Sequence, residues 1–343
     1  CAGPEGRSDD CTGLGILPFY DNFIMKHMSC LGVLGRRHGP RSSFCVPRTP
    51  SDTLRTWPFC IVHEGLCGMT GEWTEPLTVD QMYGYWEVDW DEAMAWTDRS
   101  LDPRPKTSIF DTLAALGVGG ETVVLDIGGR DAADGLEMAE RFGCRVIVVD
   151  PAQENLDDGQ RAISEHACGE LVEIHQGTIN EIPLEDDTVD VVFSKDMMTH
   201  VEDLDGALGE CRRVLTPGGS MLVHQVFGTP LLEAAEKARI CADLATVPER
   251  LSVETFEASA SEAGFAIQEM DPIGSEWLES LLEREDGEKR LLRAARMRRA
   301  KDHIVAQVGV VPFRVMQANN LWTIYRMIGK LEERIYTLTL NDA

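Results

Sequence analysis

The stretch VVLDIGGRDAADGLEMAERFGCRVIVVD, residues 123–150, decides the fold of this chain. Residues 123–125 form a short apolar run, and the glycines of the segment DIGG at 126–129 interrupt it. Residues 132–142 then have a helical composition, and residues 146–149 are typical of a second buried strand. The order of strand, glycine turn, helix and strand predicts half of a nucleotide-binding α/β unit.

An acidic residue ends the second strand of this unit. Asp150 lies about 20 residues beyond the glycines, where a carboxylate can accept hydrogen bonds from both hydroxyls of a ribose. The segment lacks the dinucleotide fingerprint G-x-G-x-x-G, however, and a glycine turn alone is a weak signal. A nicotinamide-dependent dehydrogenase is therefore one alternative, and the residues that follow decide against it.

Further units continue the alternation of strands and helices. Strands are expected at 171–174, 189–194 and 220–227, and a helix is expected at 204–215. This order resembles the class I S-adenosylmethionine-dependent methyltransferases. The likeness is to their small-molecule branch, which includes sugar O-methyltransferases, sarcosine-type N-methyltransferases and quinone or tocopherol C-methyltransferases.

Four segments carry the resemblance. The segment LDIG at 125–128 matches the first motif of the family, and Asp150 matches its ribose-binding acid. IPLEDDTVD at 182–190 resembles the segment that leads into the fourth strand, and RVLTPGG at 213–219 resembles the helix end and turn before the fifth. Their occurrence together, in this order, indicates the methyltransferase fold.

The resemblance implies an α/β fold. We expect a Rossmann-like seven-stranded methyltransferase sheet with helices on both faces, helical lid insertions and a loop-rich N-terminal extension. Within the methyltransferase domain, 75–343, the expected core is 120–273. The lid insertions are expected at about 228–250 and 274–320, and a reversed last strand at about 334–340.

Residues 1–74 differ from the rest of the chain in composition and charge balance. They are predicted to be a loop-rich or disordered leader of uncertain origin. A targeting or processed leader, upstream sequence translated through an incorrect start, and a small accessory domain are the three explanations.

The resemblance also implies the donor. S-adenosylmethionine is the expected cofactor, and the family motifs place its binding residues at the strand ends. Tyr83 is added from an aromatic segment that resembles a helix covering the cofactor in relatives; its ring could face the sulfonium, although core packing is an equal alternative. The residues assigned to cofactor binding are Asp126, Gly128, Gly129, Asp150, Pro151, Thr178, Ile179, Ser194 and Tyr83.

Two features depart from the family pattern. Arg130 and Ala132 replace glycines of the first motif, and Thr178 stands where relatives often carry an adenine-binding aspartate. A guanidinium at position 130 must point away from the sulfonium, because like charges repel. These departures motivate an alternative function, namely a cofactor-binding or partner-binding protein with lost or weak turnover.

Two histidines are candidates for catalysis. His200 follows the fourth strand, where open α/β sheets bind ligands, and could remove a proton from the acceptor as it attacks. His224 lies on the fifth strand near the same edge. For each, a packing role is the alternative.

The composition and charge of the chain limit the classes of molecule that it could bind. The net charge of −26 argues against a nucleic-acid substrate, and no apolar run approaches the roughly 18 residues of a membrane span. No metal is expected, because the sequence shows no cluster of His, Cys or acidic residues at the spacing of metal ligands.

Together with the resemblance, these observations lead us to expect a cytoplasmic enzyme that methylates an oxygen, nitrogen or carbon nucleophile of a small-molecule acceptor. Assembly into a homo-oligomer is left open. Arg296 or Arg299 could meet an anionic acceptor, although a solvated helix face is the simpler interpretation.

Overall fold

The computed structural model describes residues 76–84, 90–284 and 288–340. The chain divides into two compact units, residues 1–87 and 88–343. In the first unit, the described residues form helix α1 (Val79–Gly84). The predicted leader at 1–74 lies outside the described residues.

The second unit is built on one seven-stranded sheet. Its strand order is β3-β2-β1-β4-β5-β7-β6, and β7 runs antiparallel to both of its neighbours. The predicted Rossmann-like sheet with a reversed last strand is confirmed. The strands are β1 (Val123–Ile127), β2 (Arg145–Asp150), β3 (Val172–Gln176), β4 (Val189–Lys195), β5 (Leu215–Gly228), β6 (Phe265–Pro272) and β7 (Leu331–Leu340).

Helices connect and cover the strands. The first group is α2 (Trp90–Thr97), α3 (Ile109–Ala115), α4 (Ala133–Phe142), α5 (Gln153–Glu165) and α6 (Leu204–Val214). The second group is α7 (Ala234–Leu244), α8 (Val253–Glu262), α9 (Glu276–Arg284), α10 (Glu288–Arg299), α11 (Lys301–Val308) and α12 (Val310–Met327). No helix of the described segments has both the length and the apolar character needed to cross a bilayer.

The two faces of the sheet are buried by different helices. Val124 and Val148 face a core that includes apolar residues of α3, α4 and α9. Leu125 and Val149, one position further along each strand, face a core that includes α6 and α8. This alternation follows from the two-residue period of side chains along a strand, and it confirms that helices cover both faces.

Two strand boundaries differ from the sequence-based expectation. β5 begins at Leu215 rather than at residue 220, with a register shift against β4 between Val189 and Val191. β7 begins at Leu331, three residues earlier than expected. Leu331 is buried beside Tyr325 of α12 and Ile240 of α7, so the apolar start of β7 completes the core beneath the lid helices.

The second insertion is also longer than predicted. Its four helices run from Glu276 to the end of α12 at Met327, seven residues beyond the expected limit at 320. Phe313 and Tyr325 of α12 are buried and therefore belong to the packing of the lid. The expected limit at 320 falls inside α12, which is one continuous helix from Val310 to Met327.

Candidate functional site

The turn after β1 has a left-handed backbone at three positions, of which one is a glycine. Gly128, Arg130 and Ala132 have φ angles of 74°, 50° and 61°. Left-handed conformations cost a residue with a Cβ on the order of 1 kcal/mol, so Arg130 and Ala132 hold this path under strain. The positions where the family carries glycine therefore keep their backbone conformation in this chain.

Gly128 and Gly129 are required for space as well. A Cβ on Gly128 would stand 2.8 Å from Met197 Cγ, and one on Gly129 would stand 2.5 Å from Asp126 Oδ2. The turn after β1 is thereby packed against the segment that follows β4. Only glycine fits at these two positions without displacing a neighbour.

The turn surrounds a buried carboxyl group. Asp126 is 2 % exposed, and its Oδ2 has no hydrogen-bond partner among the described residues. Burial, and next the charge of Asp134, raise the pKa of Asp126 to about 8. Lys195 opposes this rise but is itself engaged, with Nζ 2.8 Å from both carboxylate oxygens of Asp134. The site thus holds more acidic than basic groups.

Asp150 anchors the turn to β2. Its Oδ2 accepts a hydrogen bond from the backbone N–H of Arg130 at 3.1 Å. Its Oδ1 accepts from Ala152 N and from Asn155 Nδ2, both at 2.9 Å. A carboxylate oxygen accepts about two hydrogen bonds. Oδ2 therefore keeps acceptor capacity for a ligand hydroxyl, and the assignment of both ribose hydroxyls to Asp150 stays a prediction.

The remaining predicted contacts lie along the same edge of the sheet. Thr178 and Pro151 are exposed, whereas Ile179 is 4 % exposed. Ser194 is fully buried, and its hydroxyl has no hydrogen-bond partner among the described residues. Tyr83 is half exposed on α1, in the first compact unit. The assignment of these residues to the cofactor stays a prediction.

A cavity of about 660 Å³ opens beside the segment that follows β4. Its base includes Asp196, Thr199 and His200 from the segment after β4, in which Met197 contacts Gly128. One face of α12 forms a wall through Met316, Asn319, Asn320, Trp322, Thr323 and Arg326. The cavity therefore lies between the segment that follows β4 and the inserted lid helices.

His200 presents one free ring nitrogen. It is exposed and lines the cavity, and its Nδ1 lies 3.0 Å from the carbonyl oxygen of Ala245. A carbonyl oxygen only accepts, so Nδ1 carries the hydrogen in the neutral ring and Nε2 keeps its lone pair. The ring is thus oriented by backbone, with its basic nitrogen available to a ligand.

His224 has a different setting. It is 4 % exposed, packs on Trp277 with ring centroids 4.9 Å apart, and lies with Nε2 2.8 Å from Glu333 Oε2. Burial lowers the pKa of His224 to about 4. Glu333 also pairs with Arg326, so His224 supports an ion pair between β7 and α12. This geometry favours His200 over His224 as a base, and both assignments stay predictions.

Several cavity residues were not singled out from the sequence. Asp196 has a φ of 54°, and its buried Oδ1 has no partner among the described residues. Its position directly after β4 was the one signal that could have found it. Arg293, Asn319 and Asn320 come from lid helices, where sequence periodicity does not show which face meets a ligand. Among the described residues, no three His, Cys, Asp or Glu side chains are grouped to hold a metal ion.

These residues fit S-adenosylmethionine, which carries positive charge on its sulfur and amino group. Asp131, Asp134 and Asp150, which surround Asp126 and outnumber Lys195, favour a cation by simple electrostatics. The glycine turn also lets backbone approach a ligand closely. The fold and the site together define a nucleotide-binding α/β protein of the methyltransferase type.

Comparisons with known proteins agree with this class. Residues 125–223 match the family model described as "Methyltransferase domain". Over 159 residues the chain is 26 % identical to the glycine/sarcosine/dimethylglycine N-methyltransferase of Actinopolyspora halophila, covering 46 % of this chain and 26 % of that protein. Over 278 residues it is 27 % identical to an uncharacterized 37.1 kDa protein in transposon TN4556 of Streptomyces fradiae, covering 71 % and 74 %.

A solved structure has the same fold. The geranyl diphosphate C-methyltransferase of Streptomyces coelicolor A3(2), in complex with Mg²⁺, geranyl diphosphate and S-adenosyl-L-homocysteine, superposes with a TM-score of 0.52 at 14 % identity. The superposition covers 68 % of this chain and 77 % of that one. Residues 125–223 are thus similar to the methyltransferase domain that this family model describes, and the relatives named sarcosine/dimethylglycine N-methyltransferase support the class I S-adenosylmethionine-dependent type. The comparisons thus support the methyltransferase over the dehydrogenase alternative.

Proposed function

We propose that the protein transfers a methyl group from S-adenosylmethionine to an oxygen, nitrogen or carbon nucleophile of a small-molecule acceptor. The observation that carries this proposal is the position of the cavity. It is lined by Asp196 and His200 from the segment after β4, in which the neighbouring Met197 contacts Gly128 of the turn, and His200 Nε2 has no partner among the described residues. The N-, O- and C-methyltransferases among the relatives support the same reaction.

Each side of the site has a separate task. Asp150 and the backbone of the turn hold the donor, and the glycines allow its close approach. When bound, S-adenosylmethionine supplies a methyl group on a positively charged sulfur. The bond from that methyl to sulfur breaks as a bond to the acceptor forms, and S-adenosylhomocysteine is the second product.

The acceptor side controls the proton. Where the nucleophile is a hydroxyl or an ammonium, its proton passes to His200 Nε2, and the Ala245 carbonyl keeps the ring oriented. The lid helices hold the acceptor in line with the methyl group. Orientation of this kind contributes on the order of 7 to 11 kcal/mol to rate enhancements in well-aligned reactions.

The test begins with calorimetric titration of the full chain with S-adenosylmethionine and, separately, with S-adenosylhomocysteine. We expect micromolar binding of both, and transfer of a labelled methyl group to small acceptors. Failure of a folded protein to bind either compound would refute the donor assignment.

The second candidate is a binding protein with lost or weak turnover. The observation in its favour is the strained turn, in which Arg130 and Ala132 replace glycines. In addition, both carboxylate oxygens of Asp150 already accept hydrogen bonds from the protein backbone. This candidate predicts donor binding without transfer to any acceptor, so the same experiment separates the two.

A further inference from the structure

An unpaired cation lines the cavity beside His200. Arg293 of α10 is exposed and forms no hydrogen bond or ion pair with any described residue. The other arginine on the cavity wall, Arg326, is paired with the buried carboxylate of Glu333. Arg293 is therefore available to a ligand, whereas Arg326 already serves the packing of the lid.

The packing of α10 directs Arg293 toward the cavity. Met297 lies four residues later, on the same face of the helix, and is 4 % exposed. The Nδ2 of Asn320 on α12 lies 3.2 Å from the sulfur of Met297, so this face of α10 meets α12. Arg293 extends the same face by one turn to the cavity wall. Arg299, which together with Arg296 was the candidate from the sequence for binding an anionic acceptor, lies on a different face of the helix.

The local charge around Arg293 reverses that of the whole protein. Residues 288–316 contain eight Lys or Arg and two Asp or Glu, whereas the chain has a net charge of −26. A cationic lid on an acidic protein raises the local concentration of small anions near the cavity. At the base of the cavity the charge is opposite, because Asp196 keeps a buried oxygen without a described partner.

We propose that the acceptor carries an oxyanion, a carboxylate or a phosphate, which Arg293 binds while the nucleophile lies near His200 and Asp196. This inference rests on the proposed methyl transfer and specifies its substrate class. A guanidinium binds either oxyanion through two parallel hydrogen bonds, which also fixes the orientation of the molecule. The donor assignment does not depend on Arg293.

The experiment compares acceptors in matched pairs. Each carboxylate or phosphate monoester is assayed beside its uncharged amide or alcohol, with labelled S-adenosylmethionine and the full chain. We expect the anionic member to be preferred by roughly 10- to 150-fold in kcat/KM, the range for hydrogen bonds to a charged group. Arg293→Ala should abolish this preference mainly through KM, and Arg293→Glu should reverse it. Arg299→Ala is the matched control and should leave the preference unchanged.

A binding measurement tests the inference without turnover. With S-adenosylhomocysteine bound, inorganic phosphate and acetate are titrated against wild type, Arg293→Ala and Arg299→Ala. We expect saturable binding of at least one anion that Arg293→Ala removes and Arg299→Ala keeps, and the stronger anion identifies the oxyanion class. Equal loss in both variants, or no anion binding by a protein that binds the donor, overturns the inference. Absence of donor binding instead overturns the proposed function.

Discussion

The donor side and the acceptor side of this site are built in different ways. The donor side consists of strand ends and a turn, and it contains two short, buried acidic side chains, Asp126 and Asp150. The acceptor side combines side chains of the segment after β4 with side chains of inserted helices, which face a cavity of about 660 Å³. The donor side is therefore fixed by the topology of the sheet, whereas the acceptor side depends on how helices pack above it.

This difference predicts that the two sides can be disabled independently. Residues of the donor side should change cofactor affinity, and residues of the cavity should change turnover or acceptor choice. Met197 lies close to both sides, because its side chain lies against Gly128 and the preceding residue, Asp196, lines the cavity. Independence should thus hold for substitutions that leave Met197 in place.

The largest expected effect is on the acceptor side. His200→Ala should lower kcat by roughly 10²- to 10⁴-fold, because the base that accepts the proton is lost. Donor affinity should stay nearly unchanged, as measured by calorimetry with S-adenosylhomocysteine. His303→Ala, which alters an exposed histidine outside the cavity lining, should leave both quantities intact. An equal loss of donor affinity in His200→Ala would show that the two sides are not independent.

The matching effect on the donor side comes from Asp150. Asp150→Ala should weaken binding of S-adenosylmethionine by about 1.5 to 3 kcal/mol, since hydrogen bonds to a charged group are lost. Thermal stability should also fall, because the N–H groups of Arg130 and Ala152 lose their acceptor. Asp157→Ala, an exposed carboxylate on α5, serves as the control. Unchanged affinity in Asp150→Ala would remove this residue from the donor site.

Sequence reasoning predicted these two sides unequally. The strand order, the glycine turn and Asp150 follow from local patterns, because a parallel sheet brings the carboxyl ends of its strands to one edge. Arg293 and Asn319 could not be found in this way. Both lie on helices whose sequences fit a solvated face equally well, and only the packing of α10 on α12 shows which side meets the cavity.

His224 illustrates the same limit within the sheet. Its position on β5 suggested a place at the ligand edge, and the strand period left open which face it occupies. In the structure its ring lies against Trp277 and Glu333. The side chain is therefore buried rather than open to a ligand. Glu333, the partner that fixes the position of this ring, lies 109 residues further along the chain. No local sequence pattern could therefore indicate this contact.

A smaller effect concerns the pH dependence of stability. The pKa of Asp126 is raised to about 8, so between pH 4 and 8 the unfolded state loses this proton while the folded state keeps it. The free energy of unfolding should therefore fall as the pH rises from 4 to 8, and level off above pH 8. Asp126→Asn should remove this contribution.

The measurement for Asp126 is denaturant unfolding of both proteins across this pH range. The variant should gain stability relative to wild type as the pH rises to 8. Asp111→Asn, at an exposed position of α3, should show no such trend. A parallel pH profile for wild type and Asp126→Asn would show that Asp126 is ionised throughout.

The smallest expected effect tests the strain in the donor turn. Arg130→Gly should stabilise the fold by about 1 kcal/mol, because glycine adopts a φ of 50° without a Cβ penalty. Arg130→Ala keeps the Cβ and should change stability little, which separates backbone strain from loss of the guanidinium. If both variants bind S-adenosylmethionine more tightly than wild type, the charge of Arg130 opposes the donor. If only the glycine variant does so, the strained backbone is what limits binding.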